Sequence, residues 1–223
     1  MPRRFSIVFT LVARGLGSKM VGVAIALGAA TAAYLLYIRP RQLRWGATDE
    51  ELERPMPGDE VVEHPTFNAT RALTIEARPE EIWPWIVQIG TTRAGWYSYD
   101  LLDNLGRPSA RAILPQFQNP KIGDVIPLSP DGKQGPYVKD FEQNHWMLWW
   151  DGKGGMSWVW VLYSLDEAHT RLITRVRMRY KWLSPEILFD MLVEFTDIIM
   201  MRKSMLGIKE RAENGPGREP VAD

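Results

Sequence analysis

The residues best suited to acid–base chemistry in this sequence are two aspartates and one histidine. Asp100 and Asp103 are three positions apart in a segment that predicts a short helix, so both carboxylates can face one side. Such a pair could move protons or bind a cation. The alternative is a solvated helix face, whose acids favour the N-terminal end of the helix dipole. His145 lies among tryptophans and is a candidate general base.

The composition excludes several other kinds of chemistry. The chain of 223 residues contains no cysteine, so it forms no disulfide and has no thiolate nucleophile. Its three histidines are scattered without the spacing of metal ligands, and we therefore expect neither a metal nor a cofactor. Lysine plus arginine and aspartate plus glutamate both number 27, which gives no overall signal for nucleic-acid binding.

Aromatic residues are the candidates for binding rather than catalysis. The chain has 10 tryptophans, which could line a ligand cavity or fill a closely packed core, and both interpretations stay open. Trp158 and Trp160 should share one strand face, whereas Trp149 should point away from Trp146 and Trp150. The candidate lining residues are Trp96, Tyr97, Tyr99, Trp146, Trp158 and Trp160, with Met191 and Phe195 from a long C-terminal helix.

Cationic side chains stand out on two predicted strands. Arg71 interrupts the apolar face of the first strand, so it either reaches into the cavity or pairs with an acid. A basic stripe alternates with apolar residues along the clearest strand, 171–182. It consists of Arg171, Arg175, Arg177, Arg179 and Lys181. This stripe predicts either a solubilising outer sheet face or a surface that docks on anionic lipid headgroups.

The N-terminal part of the chain has the composition of a membrane anchor. Residues 20–38 contain no charge and no proline and are about long enough to cross a bilayer, after a basic and apolar segment at 1–19. A cleaved signal peptide is the alternative, because residues 30–32 resemble a small-residue cleavage site. Cationic residues flank both ends, so the side of the membrane is not indicated. Residues 39–65 are polar and contain prolines, which is typical of a linker.

The elements that must position the candidate residues begin at position 66. Alternation predicts a strand over 66–77, and Arg78-Pro79-Glu80-Glu81 is typical of a helix start. Further strands are predicted over 123–128, 137–142, 145–150, 156–165 and 171–182. A long amphipathic helix over 185–211 then precedes a polar tail, 212–223, which we expect to be disordered. An antiparallel sheet with one apolar face needs a cover, which this helix can supply.

The segment A-R-P-E-E-I-W-P-W-I-V-Q-I-G at 77–90 resembles the START-like superfamily, also called SRPBCC, which includes polyketide cyclase/dehydrase-like proteins. The resemblance rests on Ala77, Pro79 and Trp83 within this order of elements and covers roughly residues 66–211. It implies an α+β helix-grip fold, in which a curved antiparallel sheet wraps a long C-terminal helix around a cavity for an apolar or amphipathic ligand. The predicted transmembrane helix departs from the soluble single-domain members.

These observations predict a single-pass protein of the cell membrane whose helix-grip domain binds a hydrophobic small molecule or lipid, without catalysis and without nucleic acid. The first alternative is a cyclase- or dehydratase-type enzyme that uses His145 or the aspartate pair in the same cavity. The second is an interaction module that docks on an anionic membrane through the basic stripe. Neither the ligand nor the oligomeric state is indicated by the sequence.

Overall fold

The computed structural model describes residues 22–23, 25–26, 28–180 and 186–215, and gives only the backbone of 186–196 and 198. The chain divides into two compact units, Met1–Gln42 and Leu43–Asp223. The predicted N-terminal segment, Lys181 of the basic stripe and residues 216–223 of the predicted tail lie outside the described residues. The same is true of the Met191 and Phe195 side chains.

The described residues of the first unit are helical. They include a π-helical turn at Tyr34–Ile38, and helix α1 (Arg39–Leu43) begins directly after it. Within the part of the chain that is described, no helix combines the length and apolar composition needed to cross a membrane. The transmembrane helix predicted over 20–38 is therefore not supported, and its positions 20, 21, 24 and 27 lie outside the described residues.

The second unit is built on one antiparallel sheet of five strands. The strands are β1 (Phe67–Ile75), β2 (Tyr137–Glu142), β3 (Trp146–Trp150), β4 (Met156–Ser164) and β5 (Thr170–Met178), in the spatial order β1-β5-β4-β3-β2. The first strand thus pairs with the last along its whole length. The strand predicted over 123–128 contributes only an isolated bridge between Val125 and Tyr137. Pro127 and Pro136 lack the N–H donors that a continued ladder would require.

Two helices cover the inner face of this sheet. Helix α3 (Pro79–Val87) begins with proline at its first position, as predicted, and the Glu81 carboxylate accepts a hydrogen bond from the Arg78 N–H. Helix α5 (Glu186–Asn214) contacts α3 and β1. Gly207 permits a close approach of α5 to the backbone of Tyr97, because an added Cβ would overlap the Tyr97 carbonyl oxygen. The short α4 (Asp100–Asp103) connects to the sheet through a long loop.

The outer face of the sheet is also covered, which the sequence did not predict. Residues 43–63, here called the outer strap, include helix α2 (Asp49–Glu53) and pack across β3, β4 and β5. Thr48 and Glu51 form a reciprocal capping box at the start of α2. A second apolar cluster lies under the strap, formed by Met56, Ala72, Leu148, Val159, Val161 and Ile173. Most of the predicted linker is therefore part of the folded unit.

The α+β class predicted from the sequence is confirmed. The antiparallel sheet with a long C-terminal helix on its inner face is consistent with the predicted helix-grip arrangement. The structure adds a second layer, because the outer strap turns a sheet with one covered face into a sheet covered on both.

Candidate functional site

Four tryptophan rings form a cluster on the inner face of the sheet. Trp96 stacks on Trp158 with ring centroids 5.6 Å apart, and Trp149 meets Trp158 edge to face at 4.9 Å. Trp160 lies 5.9 Å from Trp149 and 5.6 Å from Trp158. Trp149 and Trp160 have no exposed surface, whereas Trp158 is half-buried. The tryptophan cluster therefore reaches the molecular surface at Trp158.

Strand register decides which tryptophans belong to the cluster. Trp149 pairs directly with Trp158, so both point inward, and Trp149 points away from Trp146, as predicted. Trp146, which we predicted to line the cavity, is consequently on the outer face, where its Nε1 donates to Glu142 at 3.1 Å. Strand β3 is apolar on both faces, because both faces of the sheet are covered. Its sequence alone therefore does not show which set of residues points inward.

The indole N–H groups of the cluster are unequally satisfied. Trp158 Nε1 donates to Thr174 Oγ1 at 2.9 Å, and that hydroxyl donates to the Val159 carbonyl at 3.0 Å. Trp149 Nε1 and Trp160 Nε1 are both buried and have no hydrogen-bond acceptor among the described residues. Buried polar groups in proteins are nearly always hydrogen-bonded. The cluster thus holds two indole donors available to an acceptor.

A buried ion pair lies in the same row of the inner face. Arg71 pairs in register with Thr174, which pairs in turn with Trp160. The Arg71 side chain is 1% exposed, and its guanidinium lies 2.7 Å from Asp197 Oδ2. We predicted that Arg71 reaches into a cavity or pairs with an acid, and the structure shows the pairing. Only 13% of the Asp197 side chain is exposed.

The other two aromatic candidates lie away from the tryptophan cluster. Tyr97 is buried against Trp85 and donates its hydroxyl to the Trp85 carbonyl, while Gln88 donates to the same hydroxyl. Burial raises the pKa of the Tyr97 phenol, so it stays protonated. The Arg211 guanidinium lies over its ring at 4.5 Å. Tyr99, also predicted to line a cavity, is 44% exposed and lies at the surface.

The aspartate pair holds a loop together and does not face the tryptophan cluster as a reactive pair. Asp100 Oδ1 accepts hydrogen bonds from Asn104 Nδ2 at 2.7 Å and from both the N–H and the hydroxyl of Ser109. Asp103 Oδ2 accepts from the Tyr99 N–H at 3.2 Å, which is a helix-capping contact. These hydrogen bonds give both carboxylates a structural role, because they hold the loop in place. The acid–base role predicted for the pair has no geometric support.

His145 is also unsuited to the role of a buried general base. Its side chain is 62% exposed, and its Nδ1 lies 2.8 Å from the Glu142 carboxylate in the turn between β2 and β3. It therefore lies outside the tryptophan cluster. Among the described residues, no group of three or more histidine, aspartate and glutamate side chains could hold a metal ion.

Replacing Asp103 by asparagine is expected to stabilise the protein at neutral pH. Burial raises the pKa of this carboxyl above its ordinary 3.8, so the folded state binds a proton more readily than the unfolded state. Wild-type stability therefore falls as the pH rises from the ordinary pKa through the raised one. Asparagine keeps an oxygen acceptor for the Tyr99 N–H and removes the buried charge. Urea midpoints should rise at neutral pH, and the gain should vanish below the ordinary pKa.

The matched control is Asp131→Asn, for which the opposite sign is expected. The Asp131 pKa is lowered by hydrogen bonds from the Ser129 hydroxyl and the Lys133 N–H, so its charged form is favoured in the folded state. A difference in midpoint between Asp103→Asn and the wild type that stays the same across this pH range would contradict the assignment of a buried charge.

The basic stripe is not an exposed docking surface, which corrects the sequence-based interpretation. Arg171 pairs with Glu51 at 2.7 Å, and Arg175 and Arg177 pair with Asp59, each at 2.7 Å. The Arg175 side chain is 3% exposed, because the outer strap lies over it. Burial lowers the pKa of the Arg175 guanidinium, and the nearby Asp59 charge opposes this shift. Arg179 alone among the described members is exposed.

Sequence reasoning missed three residues that shape the inner face. Trp149 was left out of the candidate lining residues, and neither Thr174 nor Asp197 was among the candidates. The signal for Asp197 was the unexplained Arg71 on an apolar strand face, since a buried arginine requires an acidic partner. Strand pairing was needed to identify the other two.

A cleft of about 410 Å³ lies elsewhere, at the C-terminal end of α5. Its lining includes Glu76, Glu81, Ala212 and Glu213. Glu213 accepts a hydrogen bond from the Glu76 N–H and pairs with Lys209. This polar lining differs from the apolar cavity that the sequence predicted.

No family model matches the sequence, and no curated protein is significantly similar to it. Solved structures that resemble the fold include a conserved protein of unknown function from Enterococcus faecalis, with 14% identity, 71% of this chain and 80% of that chain covered, and a TM-score of 0.39. A Polyketide_cyc-like protein from Corynebacterium glutamicum has 14% identity, 64% and 88% coverage, and a TM-score of 0.42. The Aha1 dimer from Colwellia psychrerythraea has 15% identity, 67% and 98% coverage, and a TM-score of 0.35.

Proposed function

We propose that the second unit binds a hydrophobic small molecule or lipid on the inner face of the sheet, and that this ligand carries a hydrogen-bond acceptor. The observation that supports the proposal is the pair of buried indole N–H groups of Trp149 and Trp160, which lack an acceptor among the described residues. The surrounding rings supply the apolar contacts that such a ligand requires.

The energetic argument rests on the cost of those two donors. Leaving a buried donor unsatisfied costs about 1–3 kcal/mol, whereas a hydrogen bond that satisfies it recovers this cost. A carbonyl, hydroxyl or carboxylate oxygen on an otherwise apolar ligand matches both the donors and the rings. Arg71 lies in the same row, where its ion pair with Asp197 compensates its charge.

Access to the donors requires movement within the cluster. Trp149 and Trp160 have no exposed surface, so a ligand must displace neighbouring side chains to reach them. Trp158 is the half-buried member, and it is held at one side by Thr174. The proposed entry point is therefore the stacked pair of Trp158 and Trp96.

Dibromostearate is a suitable probe, because it combines an apolar chain, an acceptor carboxylate and bromine atoms that quench nearby tryptophans. Titrating the full-length chain should give saturable quenching, while unbrominated stearate should compete without quenching. Trp149→Phe and Trp160→Phe keep an aromatic ring but remove the donor. Each is expected to weaken binding about fivefold, which corresponds to a net hydrogen bond of about 1 kcal/mol.

The matched control is Trp146→Phe on the outer face, for which unchanged affinity is expected. Circular dichroism must show that each variant keeps its fold. Quenching that does not saturate, or equal affinities for all variants, would contradict the proposal. The enzymatic alternative has no supporting observation among the described residues, since the aspartates hold a loop and His145 is at the surface.

A further inference from the structure

The loop around α4 presents its apolar side chains to solvent and its polar side chains to the protein. Asp103 and Asn104 are 8% and 1% exposed. The four large apolar residues beside them face outward and are here called the leucine face. It consists of Tyr99 (44% exposed), Leu101 (78%), Leu102 (67%) and Leu105 (58%). In most loops the polar side chains face solvent, so this arrangement is the reverse of the usual one. Contiguous exposed apolar side chains mark interaction sites.

Hydrogen bonds prevent the loop from turning its leucines inward. Asn104 Oδ1 accepts from the Trp96 N–H at 3.1 Å, and Asn104 Nδ2 donates to Asp100 Oδ1 at 2.7 Å. Ser109 donates its hydroxyl to the same aspartate oxygen at 2.6 Å. Rotating the loop would break these bonds and leave buried polar groups unsatisfied. The leucine face is therefore a fixed feature of the folded chain.

The fully exposed charged residues of this loop are two arginines. Asp100 and Asp103, the only acids between Gly90 and Gln118, are both engaged by the loop. Arg107 is exposed two positions after Leu105 and has no ion pair among the described residues. Arg111 is also exposed, with a long contact of 3.4 Å to Glu210. The two carboxylates of the loop are hydrogen-bonded to the loop's own residues, whereas Arg107 is exposed and accessible to a partner.

We propose that the leucine face docks on the surface of an anionic lipid bilayer. Leucines enter the boundary between headgroups and acyl chains, tyrosine favours that interface, and the arginines contact anionic headgroups. A protein interface of standard size uses about 20–30 residues on each side, so four side chains are too few for a stable dimer. This proposal does not depend on the ligand proposed above, nor on the basic stripe.

The absence of cysteine from the chain permits a direct test. Leu101→Cys, labelled with a fluorophore sensitive to polarity, reports whether the loop enters lipid. The full-length protein is mixed with vesicles of phosphatidylcholine alone or of phosphatidylcholine with phosphatidylserine, each with a spin-labelled quenching lipid. The control is Leu165→Cys, an exposed leucine (57%) in the turn between β4 and β5.

The expected result is a blue shift and lipid quenching at position 101 with phosphatidylserine vesicles, with no change at position 165. Arg107→Gln should raise the vesicle concentration for a half-maximal shift about fivefold, the effect of about 1 kcal/mol for each interfacial cation. Leu102→Ser should raise it at least about tenfold, since the side chain loses its apolar burial.

Three results would overturn the proposal. The first is an unchanged emission at position 101 with both kinds of vesicle. The second is an equal response with and without phosphatidylserine, which would remove the role of the cations. The third is a shift that depends on protein concentration without vesicles, which would assign the leucine face to a second copy of the chain.

Discussion

Replacing Arg175 by methionine is expected to lower the free energy of unfolding by about 3–5 kcal/mol, the range for removing one partner of a buried ion pair. Arg175 is 3% exposed and joins β5 to the outer strap through its 2.7 Å contact with Asp59. Its Nε donates to Thr70 Oγ1 at 2.9 Å. It also donates to three backbone carbonyls of the strap, those of Glu51, Leu52 and Arg54.

The large effect follows from what the substitution leaves behind. Methionine fills much of the same space but donates no hydrogen bond, so the strap carbonyls and the Asp59 carboxylate lose a shared partner. Each buried acceptor without a partner costs about 1–3 kcal/mol unless water reaches it. Because Asp59 also pairs with Arg177, part of its charge stays compensated. This second pair is the reason that we expect the lower half of the range.

Urea unfolding followed by circular dichroism measures the effect directly. Arg179→Met is the matched control, since Arg179 directly follows β5 and is exposed. Its free energy of unfolding should stay within about 0.5 kcal/mol of the wild type. A loss below about 1 kcal/mol in Arg175→Met would mean that these contacts contribute little to holding the strap on the sheet.

Replacing Asp197 by leucine is expected to lower the free energy of unfolding by about 3 kcal/mol, because Arg71 would keep its charge in the core after losing its ion pair with Asp197. The Arg71 side chain is 1% exposed and lies 2.7 Å from Asp197. Water can therefore solvate the guanidinium only if the inner face opens.

The double variant Arg71→Met with Asp197→Leu distinguishes a lost ion pair from lost packing. Removing both charges together should restore most of the stability lost in Asp197→Leu, since an apolar pair of similar volume often replaces a buried ion pair at little cost. The control is Glu210→Gln, whose 3.4 Å contact with Arg111 is exposed and should contribute little. A double variant less stable than Asp197→Leu would contradict this account.

The corrected position of the basic stripe changes how membrane binding is explained. The sequence predicted that the basic stripe could bind anionic lipids, but three of its arginines pair with acids of the outer strap. The cation available for lipid lies instead on the α4 loop, at the exposed Arg107. Two proposals with separate tests thus replace one: ligand binding on the inner face of the sheet, and bilayer docking by the α4 loop.

Several features followed from the sequence by itself. The helix start at Pro79 was readable because proline and early acids act locally, within one turn. Strands β1 and β5 were readable because alternation is a property of a single segment, and the long final helix because its apolar positions recur with helical period. Together these elements were enough to predict the α+β class.

Only the tertiary structure decided which side chains share a site. Alternation shows which residues lie on the same face of a strand, but pairing with neighbouring strands shows which face points inward, and this brought Trp149 beside Trp158. The alternating charges of β5 are typical of a solvent-exposed strand face. In the structure, acids more than 100 positions away cover this face, as Glu51 covers Arg171. Contacts across such distances leave no local pattern. Tertiary packing therefore placed the buried arginines, the Arg71–Asp197 pair and the outward leucines.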